Sequence, residues 1–150
     1  MSRIALRQAV AADADHIAAL IDQLGYPVSA ENVAGRLSLI EMSGQAVLVA
    51  ELDGRVVGCL STSTMAVLHR PAPVGRISMM IVAEDLRGQG IGAKLVAAAE
   101  RSLRDKGCHL VEVTSNLRRT DAHRFWERIG YERTSARFAK DVRHCEENGG

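Results

Sequence analysis

Between Glu84 and Leu95 the chain reads EDLRGQGIGAKL. Gly88, Gly90 and Gly92 fall within five positions, directly behind Arg87, and an apolar helical pattern begins among them. Glycine is costly in regular structure because it loses the most backbone freedom on folding. A helix start presents unpaired N–H groups and a partial positive charge. Glycines let that backbone approach an anion closely, and Arg87 adds a full charge. The combination suits a phosphate or pyrophosphate. A plain strand-to-helix turn is the bland alternative, but one glycine would serve it.

Two phosphate-loop patterns fit poorly. GxxxxGK[ST] fails because Lys94 follows Ala93 and Leu95 replaces the hydroxyl residue. GxGxxG/A is matched formally from Gly88 to Ala93. A dinucleotide fold, however, wants the first glycine at the strand end and an acidic residue closing the next strand. Here AEDLR intervenes, and the next strand carries Glu112 in its middle. Too little chain follows for the remaining βαβ units.

The elements that must position this loop can be read from periodicity. RIALRQA is a short strand, followed by a helix over about 11–24 with Ile17, Leu20, Ile21 and Leu24 as its stripe. Gly25 to Pro27 break the chain, and Ser29 caps a second helix carrying Val33, Leu37 and Ile40. AVLVAEL and RVVGCLSTSTMAVL flank Asp53-Gly54, a hairpin signal. RISMMIV is the strand that feeds the glycine loop. A helix over about 90–106 buries Ile91, Leu95, Val96, Ala99 and Leu103. HLVEVTSN is a strand, TDAHRFWERIG a helix capped by Thr120, and YERTSARFAKDV a last strand or strand pair. The order β-α-α-β-β-β-α-β-α-β predicts a mixed α/β (α+β) domain, its sheet mostly antiparallel and flanked by helices.

The bulk properties exclude several classes. With 150 residues and a formal net charge of +1, neither a basic nucleic-acid surface nor a membrane surface is indicated. Cys59, Cys108 and Cys145 are odd in number and far apart, which argues against disulfides and a zinc site. Reduced thiols in the cytoplasm are expected. The N-terminal apolar stretch is broken by Arg7, Gln8, Asp13 and Asp15, so it is no signal peptide. A domain over 1–144 with a flexible tail over 145–150 is expected.

Arg87-Gly88-Gln89-Gly90-Ile91-Gly92 resembles the R/Q-x-x-G-x-G/A loop of the GCN5-related N-acetyltransferases. The strand before it, the long helix after it and NLRRTDAHRFWERIGYERTSARF downstream resemble that family as well. The resemblance spans about residues 3–140. It implies acetyl-CoA as cosubstrate, no metal, and a primary amine of a small molecule or peptide as acceptor, attacking directly in a ternary complex. Many members dimerise. A non-catalytic acyl-CoA-binding sensor is the alternative.

Carried over residue by residue, Arg87 to Gly92 would clasp the CoA pyrophosphate. Met80, Ile81 and Val82 would pair their backbone with the pantetheine arm in a slot between two splayed strands. Asn116 would touch the pantetheine or the acceptor. Where the family often has a glutamate and a tyrosine for proton transfer, this chain has Ser78 and Trp126. The candidates left for a base are Glu112 and His69, with His109 and His123 behind them. Arg118, Arg119 and Arg124 form a basic cluster that would face the CoA phosphates or solvent. The acceptor would be lined by segments near Asp22 to Gly44 and His69 to Gly75.

Overall fold

A computed structural model describes residues 3–115 and 120–143. The chain forms two compact units, Met1–Val113 and Thr114–Gly150. The first holds a five-stranded sheet in the order β1(Ile4–Gln8), β2(Ala46–Leu52), β3(Arg55–Met65), β4(Val74–Val82), β5(Leu110–Val113). Every neighbouring pair is antiparallel except β4 and β5, which are parallel. Among the described residues no helix is long and apolar enough to cross a membrane.

Helices cover both faces of the sheet. A 3-10 turn at Ala11–Asp13 leads into α1(Ala14–Asp22), and α2(Ala30–Met42) follows. Ser29 caps α2 as its residue type predicts: its Oγ accepts from the Asn32 N–H at 3.0 Å. Asp53 and Gly54 close the β2–β3 hairpin, both at positive φ. On one face lies α3(Ile91–Asp105). A Cβ on Gly58 would meet Leu95 Cδ1 at 2.9 Å, and one on Gly75 would meet Leu103 at the same distance. These two strand positions are therefore bare because α3 lies almost on the backbone. Leu95, Val96, Ala99 and Leu103 are buried with Leu60 and Ile77.

The opposite face is held partly by charge. Arg7 donates to both carboxylate oxygens of the buried Asp13, at 2.7 and 2.8 Å, and to Glu51 at 3.2 Å. Asp13 also accepts from the Val10 N–H at 2.8 Å. The Arg7 guanidinium holds the Asp13 carboxyl below its usual range. Cys59 sits beneath this cluster with its thiol pushed up to about 12, first by burial and then by the Asp13 charge.

The second unit contains α4(Thr120–Arg128), whose Trp126 is buried and meets Phe125 and Tyr131 edge-on at 5.1 Å each. The strand expected over YERTSARFAKDV does not form: residues 132–143 are exposed and without regular structure. No strand pairs with this segment among the described residues, and its large apolar residues, Phe138 and Val142, are exposed rather than packed. The strand read from HLVEVTSN is likewise shorter, covering Leu110–Val113.

Candidate functional site

The site is built around the outer edge of β4. Parallel pairing with β5 runs from Val74↔Leu110 to Ile77↔Val113 and stops. From Ser78 to Val82 that edge has no strand partner among the described residues. The other edge stays paired with β3 as far as Val82. The strands part at an irregularity: Thr62 pairs with Ile77 but Ser61 with Met79, so Ser78 is an inserted bulge residue. A bulge bends its strand and sharpens the twist, which suits the point where β5 leaves. Ser78 is exposed there.

The open edge carries usable backbone groups. The Ala83 N–H donates to Val57 O at 2.8 Å, toward β3. Backbone direction alternates along a strand, so Ile81 also faces β3, while Met80 and Val82 turn their N–H and C=O groups to the open side. The buried side chain of Ile81 belongs to the core. Of the three β4 residues predicted to meet pantetheine, two therefore face the gap with their backbone.

Beyond Val82 the chain makes a 3-10 turn, Glu84–Leu86, and then the glycine loop. Four ties fix the turn. The Leu86 N–H donates to Ala83 O at 2.9 Å, and Ala83 is itself bound to Val57. The Glu84 N–H donates to Gln23 Oε1 at 3.1 Å, reaching back to the end of α1. Asp85 accepts from both terminal nitrogens of Arg55, at 3.1 and 3.2 Å, which ties the turn to the start of β3.

The loop itself needs glycine for its backbone angles. Gly88 and Gly90 have φ of 82° and 80°, in the left-handed region that L side chains avoid. A Cβ on either would meet no atom within 4 Å, so the protein's own packing does not require a bare backbone there. The space beside these glycines is open. The α3 ladder begins with the Lys94 N–H donating to Gly90 O at 3.1 Å. The N–H groups of Ile91, Gly92 and Ala93 thus have no intrahelical acceptor. With Arg87, Gln89 and Lys94 exposed around it, the loop is a cradle of backbone donors with positive charge at its rim.

The remaining predicted residues are dispersed. Glu112 is exposed on β5, in register with Arg76 and one residue before the strands part. His69 lies on the loop before β4 and His109 just before β5, both at the strand ends remote from the glycine loop. Arg70, Pro71, Pro73 and His109 line a small surface depression there. In the second unit His123 lies within 3.1 Å of Arg133, and Trp126 fills the aromatic cluster. Asn116, Arg118 and Arg119 lie outside the described residues. Cys59 and Cys108 are free and buried, and the thiol of Cys59 stays protonated at neutral pH.

Two features escaped sequence reading. The bulge at Ser78 left no local signature in RISMMIV. Arg76 attracted no notice, although Ser61 and Ser63, at a strand's two-residue spacing, marked a polar face beside it.

The chain is similar to known acetyltransferases. Residues 17–131 match the model of the acetyltransferase (GNAT) family, a span that crosses both units. An aminoalkylphosphonate N-acetyltransferase of Salmonella typhimurium is 35% identical over 140 residues, covering 90% of this chain and 89% of that protein. An aminoglycoside N(6')-acetyltransferase of Stenotrophomonas maltophilia is 30% identical, covering 86% of each. Among solved structures, an aminoglycoside N-acetyltransferase in complex with CoA superposes with a TM-score of 0.85 at 21% identity, covering 96% of this chain and 97% of that one.

Proposed function

The chain belongs to the acetyltransferase (GNAT) family, and from that premise we propose how its own residues move an acetyl group from acetyl-CoA to a primary amine. The observation that carries the proposal is the open edge of β4 running straight into the glycine cradle at the start of α3. Arg87 to Gly92 and the first N–H groups of α3 receive the CoA pyrophosphate. Met80 and Val82 pair with the pantetheine arm as an added strand would. The thioester then lies where β4 and β5 part, beside Ser78.

The reaction is direct transfer. A neutral amine attacks the thioester carbonyl carbon, and the developing oxyanion is held by N–H groups of the open edge. The C–S bond breaks, the acetyl group stays on nitrogen, and CoA leaves as a thiolate that takes a proton. The amine's surplus proton passes to water or to Glu112, the carboxylate beside the gap. Holding both reactants in the gap supplies much of the rate. Cys59, buried and protonated, supports direct transfer over a cysteine-bound acetyl intermediate. The free thiols of Cys59 and Cys108 favour a reducing compartment, which we take to be the cytoplasm.

The acceptor is a small-molecule amine. The two relatives act on acceptors of opposite charge, one an aminoalkylphosphonate and the other a polycationic aminoglycoside. Incubating the purified protein with acetyl-CoA, a panel of amines and a thiol reagent tests the activity. Amine-dependent release of CoA thiol, with the N-acetylated product identified by mass, is expected. Saturable acetyl-CoA binding without release on any amine would favour an acyl-CoA sensor, to which Ser78 and Trp126 would then be the clue.

A further inference from the structure

The face of the sheet turned away from α3 carries a charge that has no partner among the described residues. Gly75 points at α3, so its neighbour Arg76 lies on the opposite face. Its register partners there are Ser63 on β3 and Glu112 on β5, and Ser61 shares the face two residues from Ser63. Arg76 is half-buried, yet makes no ion pair or hydrogen bond among the described residues. Glu112, one strand away, stands beyond ion-pair distance of it. A partly desolvated guanidinium without a counter-ion is costly unless something supplies one. Other arginines in this unit show the alternative: Arg7 is paired with Asp13 and Glu51, and Arg55 with Asp85.

We propose that Arg76, flanked by the Ser61 and Ser63 hydroxyls, is the acceptor's anion site and selects amines bearing a carboxylate, phosphonate or phosphate. This rests on the acetyl-transfer reading above. Arg76 precedes Ser78 by two residues, about 7 Å along the strand. A short aminoalkyl anion spans that interval, with its anion on Arg76 and its nitrogen at the parting of β4 and β5. Guanidinium suits this role, since its planar fork binds such oxyanions through two parallel hydrogen bonds. Glu112 faces the same space and matches the ammonium that such a zwitterion carries before it loses its proton. The donor's phosphates and the acceptor's anion thus occupy separate positive sites, one at the end of β4 and one on its face.

The test is calorimetric titration of 2-aminoethylphosphonate, β-alanine and ethanolamine, an amine without the anion, into the protein–CoA complex, for the wild type, Arg76→Gln and Arg76→Lys. The wild type should prefer the two anionic amines to ethanolamine, and their ranking identifies the favoured anion. Arg76→Gln should weaken the anionic amines about 10- to 100-fold. It should leave ethanolamine and acetyl-CoA affinity within about twofold, with Arg76→Lys intermediate. Equal weakening of the amines with and without an anionic group, or undiminished binding of the anionic amines to Arg76→Gln, would overturn the proposal. Because the readout is binding, it stands apart from turnover. Anion-selective binding without thiol release would sink the acetyl-transfer reading and leave the anion site in place.

Discussion

The glycine loop and the Ser61–Arg76–Glu112 face border the same strand, yet they are built in opposite ways. The loop is local. Its function requires positive φ at Gly88 and Gly90, a helix start behind them and Arg87 at the rim, all within one short stretch. The face is assembled from three strands whose registers decide which side chains meet. The loop binds with backbone, so side-chain identity matters little beyond the glycines. On the proposal above the face would bind with side chains, so a change there would retune the acceptor without touching the donor.

The comparison breaks most sharply at Gly90. Gly90→Asp places a negative charge where a pyrophosphate should sit. Aspartate tolerates the left-handed conformation better than most residues, so the fold should survive. Acetyl-CoA affinity should fall about 100-fold, roughly 2.7 kcal/mol. Titration calorimetry with a far-ultraviolet circular dichroism control checks this. An affinity within twofold of the wild type would mean the loop does not hold the phosphates.

Asp13→Asn should separate scaffold from site. It removes the carboxylate that Arg7 and the Val10 N–H share, and should cost about 2 kcal/mol in urea unfolding. Both ligand sites should weaken together, if at all. The pH dependence follows from the sign of the shift. The folded-state pKa of Asp13 is lowered, so the unfolded chain binds more protons in acid. The stabilisation is therefore complete above the ordinary carboxylate range near pH 4 and is lost as pH falls below it. The wild type's acid slope should be steeper than that of Asp13→Asn; equal slopes would remove Asp13 from the account.

Arg55→Ala gives the smallest effect. The pair with Asp85 is exposed, so stability should hardly change. Its role is to steady the turn before the cradle. A loss of no more than about threefold in acetyl-CoA affinity is expected, fading at high salt. An effect as large as that of Gly90→Asp would make the turn, rather than the loop, the determinant of binding.

The same contrast sets what could be read before the structure. The glycine loop, the α3 stripe, the Ser29 cap and the Asp53-Gly54 hairpin each carry their cause in adjacent residues. The parting of β4 and β5 does not, because RISMMIV looks the same with or without a bulge at Ser78. Nor does Arg76, whose meaning depends on Ser63 and Glu112 lying beside it. Arg7 and Asp13 read only as charges interrupting an apolar stretch, although together they hold one face of the sheet. The strand expected over YERTSARFAKDV depends likewise on a partner that its own residues do not supply: Phe138 and Val142 stay exposed.

Backbone amide hydrogen exchange, measured with and without acetyl-CoA, tests the central claim most directly. New protection is expected at Met80, Val82 and the amides from Gly90 to Ala93. Met79 and Ile81, which already face β3, should change little. Acetyl-CoA binding that leaves Met80, Val82 and the loop amides unprotected, or that instead protects the residues around Arg70 and His109, would contradict it.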